Sequence, residues 1–168
     1  MISTPYQPAG KWSDPYSFAL QNLGETDIPG KSDLSLIART IRRAAAWMSD
    51  DMEATWCAVF VQAMAKLAGY ERTGALSARA WLNVGEPVVL HDLRKGDVVV
   101  LWTGFKSVWT GHVAFLDHYN PTRELLYLLG CNQDREINIS SYASNQFLGA
   151  RRLRSLDSLQ GNSQNRII

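Results

Sequence analysis

Only two cysteines, Cys57 and Cys131, occur in the 168 residues. That is too few for a disulfide-stapled scaffold, and no Cys-x-x-Cys pair is present to hold zinc. Neither sign of charge dominates: 17 basic side chains against 16 acidic ones leave a formal net charge of +1. A protein so balanced has no broad positive field for displacing counterions from a polyanion, so nucleic acid is not an expected partner. Long apolar runs are missing too. The longest, Trp56 to Val61 and Val98 to Trp102, fall far short of the roughly 20 residues that cross a bilayer, and no membrane partner is expected. The first residues, MISTPYQPAG, have no basic start, no apolar stretch of signal length and no small-residue cleavage site. Synthesis in the cytoplasm without a signal peptide is the expectation. There is no internal repeat and no glycine-rich phosphate loop.

What remains is ordinary globular material. The hydrophobic share is 46 % and the charged share 20 %, close to the averages for folded domains, and the length suits one domain. Residues 1–14, with Pro5, Pro8 and Gly10, read as an extended arm. Residues 15–154 read as a single domain, and the polar residues 155–168 as a loose tail. Pro15 at a first helical position, capped by Asp14, predicts a helix to Leu23 that Gly24 stops. Apolar residues at Leu36, Ile37, Ile41, Ala44, Ala45 and Met48 predict a second helix over about 32–47, with Arg39, Arg42 and Arg43 mostly on its solvated face. A third, WCAVFVQAMAKLAG from Trp56 to Gly69, is apolar almost all round and belongs at the centre of the domain. One short helix is expected over 77–85. After it, LRKGDVVVLW, GHVAFLDHY, ELLYLLG, EINIS and FLGARRL read as five short strands. Helices first and strands afterwards predict an α+β fold, with N-terminal helices packed on a roughly five-stranded antiparallel sheet.

Cys57 falls in the first turn of the central helix. Unpaired backbone N–H groups and the positive end of the helix dipole favour a thiolate there, which lowers the thiol pKa and makes a nucleophile; a small buried side chain is the bland alternative. A thiolate nucleophile needs a base that also protonates the leaving group. His112 opens an apolar strand, where a helix terminus from the other layer can meet it. His118 ends the same strand roughly 20 Å away at 3.3 Å per residue, so the two cannot serve one site. His91 lies in a connection before the first strand. The imidazole then needs an acceptor to hold its ring. If the strand ending in LLGCNQD runs antiparallel to that of His112, it returns Asn132 toward the imidazole, with Gln133 and Asp134 as competitors and a plain polar turn as the alternative. No HExxH or similar close pair exists among His91, His112 and His118, so no metal and no other cofactor is expected. Phe105 and Trp109, in the connection ahead of His112, and Trp56 beside Cys57 offer aromatic faces on which sugar or peptide can stack.

WCAVFVQAMAKLAGY, LRKGDVVVLW, GHVAFLDHY and LLGCNQ, taken in order, resemble the CHAP and NlpC-type cysteine hydrolases of the bacterial cell wall. The resemblance runs from about residue 15 to residue 153. It is closest to a compact phage and bacterial subgroup. There a tryptophan precedes the nucleophilic cysteine (here Trp56 and Cys57), a Ser-x-x-x-Trp-Leu helix follows (Ser77, Trp81 and Leu82), and a Gly-Asn-Gln segment comes after the histidine strand (Asn132 and Gln133). Two departures stand out. Cys131 replaces the expected glycine before Asn132, bringing a second thiol near the site that could pair with Cys57 on oxidation. Asp51 stands where papain-like enzymes carry an oxyanion glutamine, which leaves the Cys57 N–H as one donor and the rest of the oxyanion hole unassigned.

The resemblance implies a papain-like core with Cys57 as nucleophile, His112 as base and acid, and Asn132 as orienting residue. Trp56, Phe105, Trp109 and Gln133 would contact substrate. The implied reaction is hydrolysis of a peptidoglycan amide, either muramoyl-L-alanine or a stem-peptide bond, by a phage endolysin or an antibacterial effector. Such an enzyme would be a monomer that reaches the periplasm or wall through a holin or a secretion machine, and an effector would have an immunity protein as partner. The rival expectations are a catalytically silent wall-binding or assembly module, and an acyl or amide transferase using the same Cys-His dyad.

Overall fold

A computed structural model describes residues 14–24, 56–107, 110–133 and 136–164. Of the expected arm over 1–14 only Asp14 is among these residues, and the expected helix over 32–47 lies outside them. Among the described residues the chain is α+β, with one antiparallel sheet and a few helices.

The amino-terminal helix α1, Pro15–Leu20, begins as the sequence predicts. Asp14 is extended, and its carboxylate accepts the Ser17 N–H at 3.0 Å and the Ser17 hydroxyl at 2.7 Å. Proline at the first position has no N–H to leave unsatisfied. The helix stops short of Leu23 because turns take the chain to Gly24, whose N–H donates to the Ile137 carbonyl at 2.9 Å. Helix α2, Trp56–Ala68, buries eight of its thirteen residues and ends at Gly69 with φ 72°, a left-handed conformation that glycine adopts without penalty. The expected helix over 77–85 is a 3-10 helix, Ala78–Asn83.

Six strands form the sheet where five were expected: β1 Glu86–Val88, β2 Val98–Trp102, β3 Gly111–Asn120, β4 Leu125–Gln133, β5 Glu136–Ala143 and β6 Phe147–Arg152. Their order is β1-β6-β2-β3-β4-β5. The unexpected β1 has three residues and contains Pro87, which an edge strand tolerates because its missing N–H faces away from the ladder. The tail expected to be loose over 155–168 is helical from Leu156 as far as it is described. Helix α3, Leu156–Gln164, follows β6 and is started by Ser155, whose hydroxyl accepts the Ser158 N–H at 3.2 Å. The Leu156 N–H donates to Gly69 O at 2.9 Å, and Arg154 forks onto Glu71 with bonds of 3.0 Å to each carboxylate oxygen, so this segment is tied to the end of α2.

The sheet is rolled. In a flat sheet four inter-strand spacings, about 19 Å, would separate β5 from β6. Yet only the 3-10 turn Ser144–Gln146 joins them, and three such residues advance about 6 Å. Rolling gives the sheet two distinct cores. On its outer face Phe60 and Met64 of α2 and Trp81 of the 3-10 helix pack on Val98, Val100, Val113, Phe115 and Leu129. The Phe60 and Phe115 rings meet edge to face at 6.5 Å between centroids. The inner face holds Val99, Leu101, Ala114, Leu116, Leu126, Leu128 and Ala150. Full burial of each large side chain contributes about 1.5 to 3 kcal/mol.

A bulge at the far end of β3, between Leu116 and His118, turns Asp117 toward α1. The Tyr16 hydroxyl donates to its Oδ1, Lys95 Nζ lies 3.1 Å from Oδ1, and His118 Nδ1 lies 2.7 Å from Oδ2. Burial alone would raise the Asp117 pKa; these hydrogen bonds together outweigh it and bring the pKa down to about 2. A carboxylate lowered on folding stabilises the native state above its unfolded pKa, about 3.9, and loses that contribution as pH falls toward the folded value. Urea titrations between pH 7 and 2 should therefore show Asp117→Asn to be less stable at neutral pH and to lose less stability below pH 4. Parallel curves for the two proteins would contradict this account of α1 attachment.

Candidate functional site

The first turn of α2 brings Cys57 against the start of β3. Its thiol is 2 % exposed, and the N–H groups of Val113, Ala58 and Cys57 itself point at the sulfur. Val113 has an N–H to offer because the β3–β4 ladder ends at Phe115 and Leu129, so the two strands part beyond that pair. Burial is the largest influence on the thiol and raises its pKa above the ordinary value; the three N–H groups lower it but do not prevail. The expected activation by the helix terminus is therefore outweighed by desolvation.

His112 is the residue next to Val113, yet its side chain leaves β3 on the other face. Val113 and Phe115 belong to the outer core with Cys57, whereas Ala114 and Leu116 belong to the inner core. The parity extends to the strand end: a Cβ on Gly111 would meet Arg79 Cγ at 3.5 Å and Ala78 Cβ at 3.7 Å, both on the outer side. Alternation thus sends His112 inward. There its ring stacks on that of Tyr142 at 5.3 Å and 28°, with the Tyr142 hydroxyl 3.4 Å from Nε2. The imidazole is 8 % exposed. Thiol and imidazole thus lie along one stretch of β3 on opposite faces.

Asn132 and Gln133 close β4, and Gln133 pairs with Glu136 of β5. Asn132 and His112 both lie beyond the last β3–β4 pair, Phe115 and Leu129, at the same end of the sheet. Cys131, immediately before Asn132, is buried in the same outer core as Cys57, and both are thiols. Trp56 is partly buried against the same core, so at least part of its ring is structural. His118 stands apart, with its ring stacked on Tyr127 at 4.1 Å. His91 lies in a short 3-10 helix, Leu90–Asp92.

Phe105, 75 % exposed, is the most exposed large apolar side chain among the described residues. The connection that carries it is braced. Arg79 Nε donates to Thr110 O at 3.0 Å, Arg79 Nη2 to Lys106 O at 3.1 Å, and the Thr110 hydroxyl to Thr103 O at 3.1 Å. Trp109 lies outside the described residues. Among the described residues no group of three His, Cys, Asp or Glu side chains is arranged to hold a metal, and no helix is long and apolar enough to cross a membrane.

Sequence reasoning missed Tyr142 altogether. Its register partner is Leu126, which pairs with Tyr119 at the far end of β3. Only the roll of the sheet carries it to His112, and strand periodicity contains no sign of that roll. Comparison of the chain with known protein families and with curated proteins finds no match.

Proposed function

We propose that the protein is a cysteine hydrolase with a papain-like arrangement that cleaves an amide bond of peptidoglycan. The observation that best supports this reading is the Cys57 thiol, seated at the amino terminus of α2 and addressed by the N–H of Val113, the neighbour of His112. In the proposed reaction His112 takes the thiol proton as sulfur attacks the amide carbonyl. The tetrahedral oxyanion is held by backbone N–H groups, the Cys57 N–H among them. Its collapse breaks the C–N bond while His112 returns the proton to the leaving amine. Water, deprotonated by the same imidazole, then releases the acyl group from sulfur. Asn132 lies at the same end of the sheet as His112, and Phe105, Trp109, Trp56 and Gln133 would contact the glycan or its peptide. Endolysin and antibacterial effector are both consistent with such an enzyme. A holin would accompany the first and an immunity protein the second, with action at the wall after release and the monomer as working unit.

Purified sacculi incubated with the protein should yield fragments bearing new amino termini, and their masses identify the bond cut. Intact sacculi after prolonged incubation with folded protein would sink the proposal. The deep burial of Cys57 favours one rival, a wall-binding module in which the thiol is only core. That module would bind sacculi without releasing amines.

The raised thiol pKa yields a separate expectation. A thiol that burial holds protonated reacts with iodoacetamide slowly at neutral pH, and its rate keeps climbing with pH beyond the range in which an ordinary thiol levels off. Mass spectrometry of the Cys57 peptide follows the rate. A plateau already reached at mildly acidic pH would mean that a stabilised thiolate, not desolvation, governs this cysteine.

A further inference from the structure

We infer that Tyr142 is a positioning residue for His112: it receives the Nε2 proton and leaves Nδ1 with the lone pair that a base needs. The inference rests on the hydrolase reading for its consequence in catalysis, but its geometry stands separately. Two contacts fix the ring, the stack at 5.3 Å and 28° and the approach of the Tyr142 hydroxyl to Nε2 at 3.4 Å. The first restrains the plane of the imidazole and the second its rotation within that plane.

The assignment of the two nitrogens follows from the contact that Nε2 makes. In an imidazole Nδ1 adjoins the ring carbon bonded to Cβ, whereas Nε2 lies at the distal end. Nδ1 is therefore the nitrogen nearer the strand. Nε2 is the one turned to Tyr142. If Nε2 carries the proton, Nδ1 has the lone pair that a base needs, and the Nε2–H bond to the phenol oxygen persists when Nδ1 gains its proton. With the phenol proton donated to Nε2 instead, the tautomer would be reversed and Nδ1 could not act as a base. A bond of 3.4 Å is long for its type, and such bonds tighten when substrate excludes water.

Tyr142→Phe keeps the ring and removes the hydroxyl. Nitrogen-15 spectra of imidazole-labelled protein distinguish the tautomers directly. The expected wild-type spectrum shows Nε2 protonated and Nδ1 bare in the neutral ring, and Tyr142→Phe shifts that population toward a mixture. On sacculi or a defined muropeptide, Tyr142→Phe should lower kcat about 10-fold with KM nearly unchanged, while Tyr142→Leu, which also loses the stack, should fall further. An Nδ1-protonated wild-type ring, or identical tautomer populations in wild type and Tyr142→Phe, would overturn the inference whatever the activity. A shifted tautomer in a protein that cleaves no sacculi would retain Tyr142 as the positioning residue and remove only the hydrolase reading.

Discussion

Cys57→Ala is expected to lower the rate of amine release from sacculi by about three orders of magnitude or more, to the residue that binding and oxyanion contacts support without a nucleophile. The substitution removes one sulfur from a well-packed position, so the fold should survive with a loss of about 1 kcal/mol, read as a small fall in Tm. Circular dichroism on the same sample separates a silent site from an unfolded one. Cys57→Ser is the stricter test, because it keeps a nucleophilic atom of smaller size and weaker acidity; it should be nearly as inactive. Full lytic activity in a folded Cys57→Ala protein would end the nucleophile assignment and leave Cys57 as a core residue of the α2–β3 contact.

The largest effect on stability is expected at Asp97. This carboxylate is 2 % exposed and accepts three hydrogen bonds: Arg152 Nε on Oδ1 at 2.9 Å, Arg152 Nη2 on Oδ2 at 2.8 Å, and the Arg94 N–H on Oδ2 at 2.8 Å. Arg152 also reaches the Asp92 carbonyl at 3.2 Å. Removing one partner of a buried pair leaves the other charge without its compensation, which costs about 3 to 5 kcal/mol. The Arg152 side chain is 34 % exposed and can regain some water, which argues for the lower end of that range in Asp97→Ala. Urea unfolding should show a midpoint lower by about 1 to 3 M. In Asp97→Ala/Arg152→Ala the second substitution should add less than Arg152→Ala costs alone, by about 1 to 3 kcal/mol of coupling. Independent, additive losses would mean that the fork contributes little and that Asp97 acts only through the Arg94 turn.

Much of the fold was legible because local chemistry announced it. Asp14 and Pro15 mark the start of α1, Gly69 marks the end of α2, and the apolar runs around Val100, Val113, Leu128 and Ala150 are all strands. What escaped had little local signature. EPV is too short to show alternation and contains a proline; it is a strand because β6 pairs with it. LDSLQGNSQ is polar and holds a glycine, and it is helical beside a cap and a tether to α2. The candidate site divides in the same way. Cys57 at a helix start and His112 at a strand start were readable, as was the return of β4 toward that end. The face on which His112 leaves was not, because HVAFL is apolar at both parities and is buried on both. The thiol pKa went the other way from expectation for a related reason: a dipole is a property of one helix, whereas desolvation comes from everything packed on it.

The strand order also has a consequence for how the chain is made. β6 lies between β1 and β2 although it is synthesised after both, and after the whole of β3, β4 and β5. While a nascent chain is still shorter than Arg152, β1 has no neighbour, β2 has an open edge, and Asp97 is without the arginine that makes its burial tolerable. The final strand acts as a keystone. Until it is inserted, the roll that carries Tyr142 to His112 cannot close, so an unfinished or carboxyl-terminally clipped chain lacks the assembled site even though each of its candidate catalytic residues has already been translated.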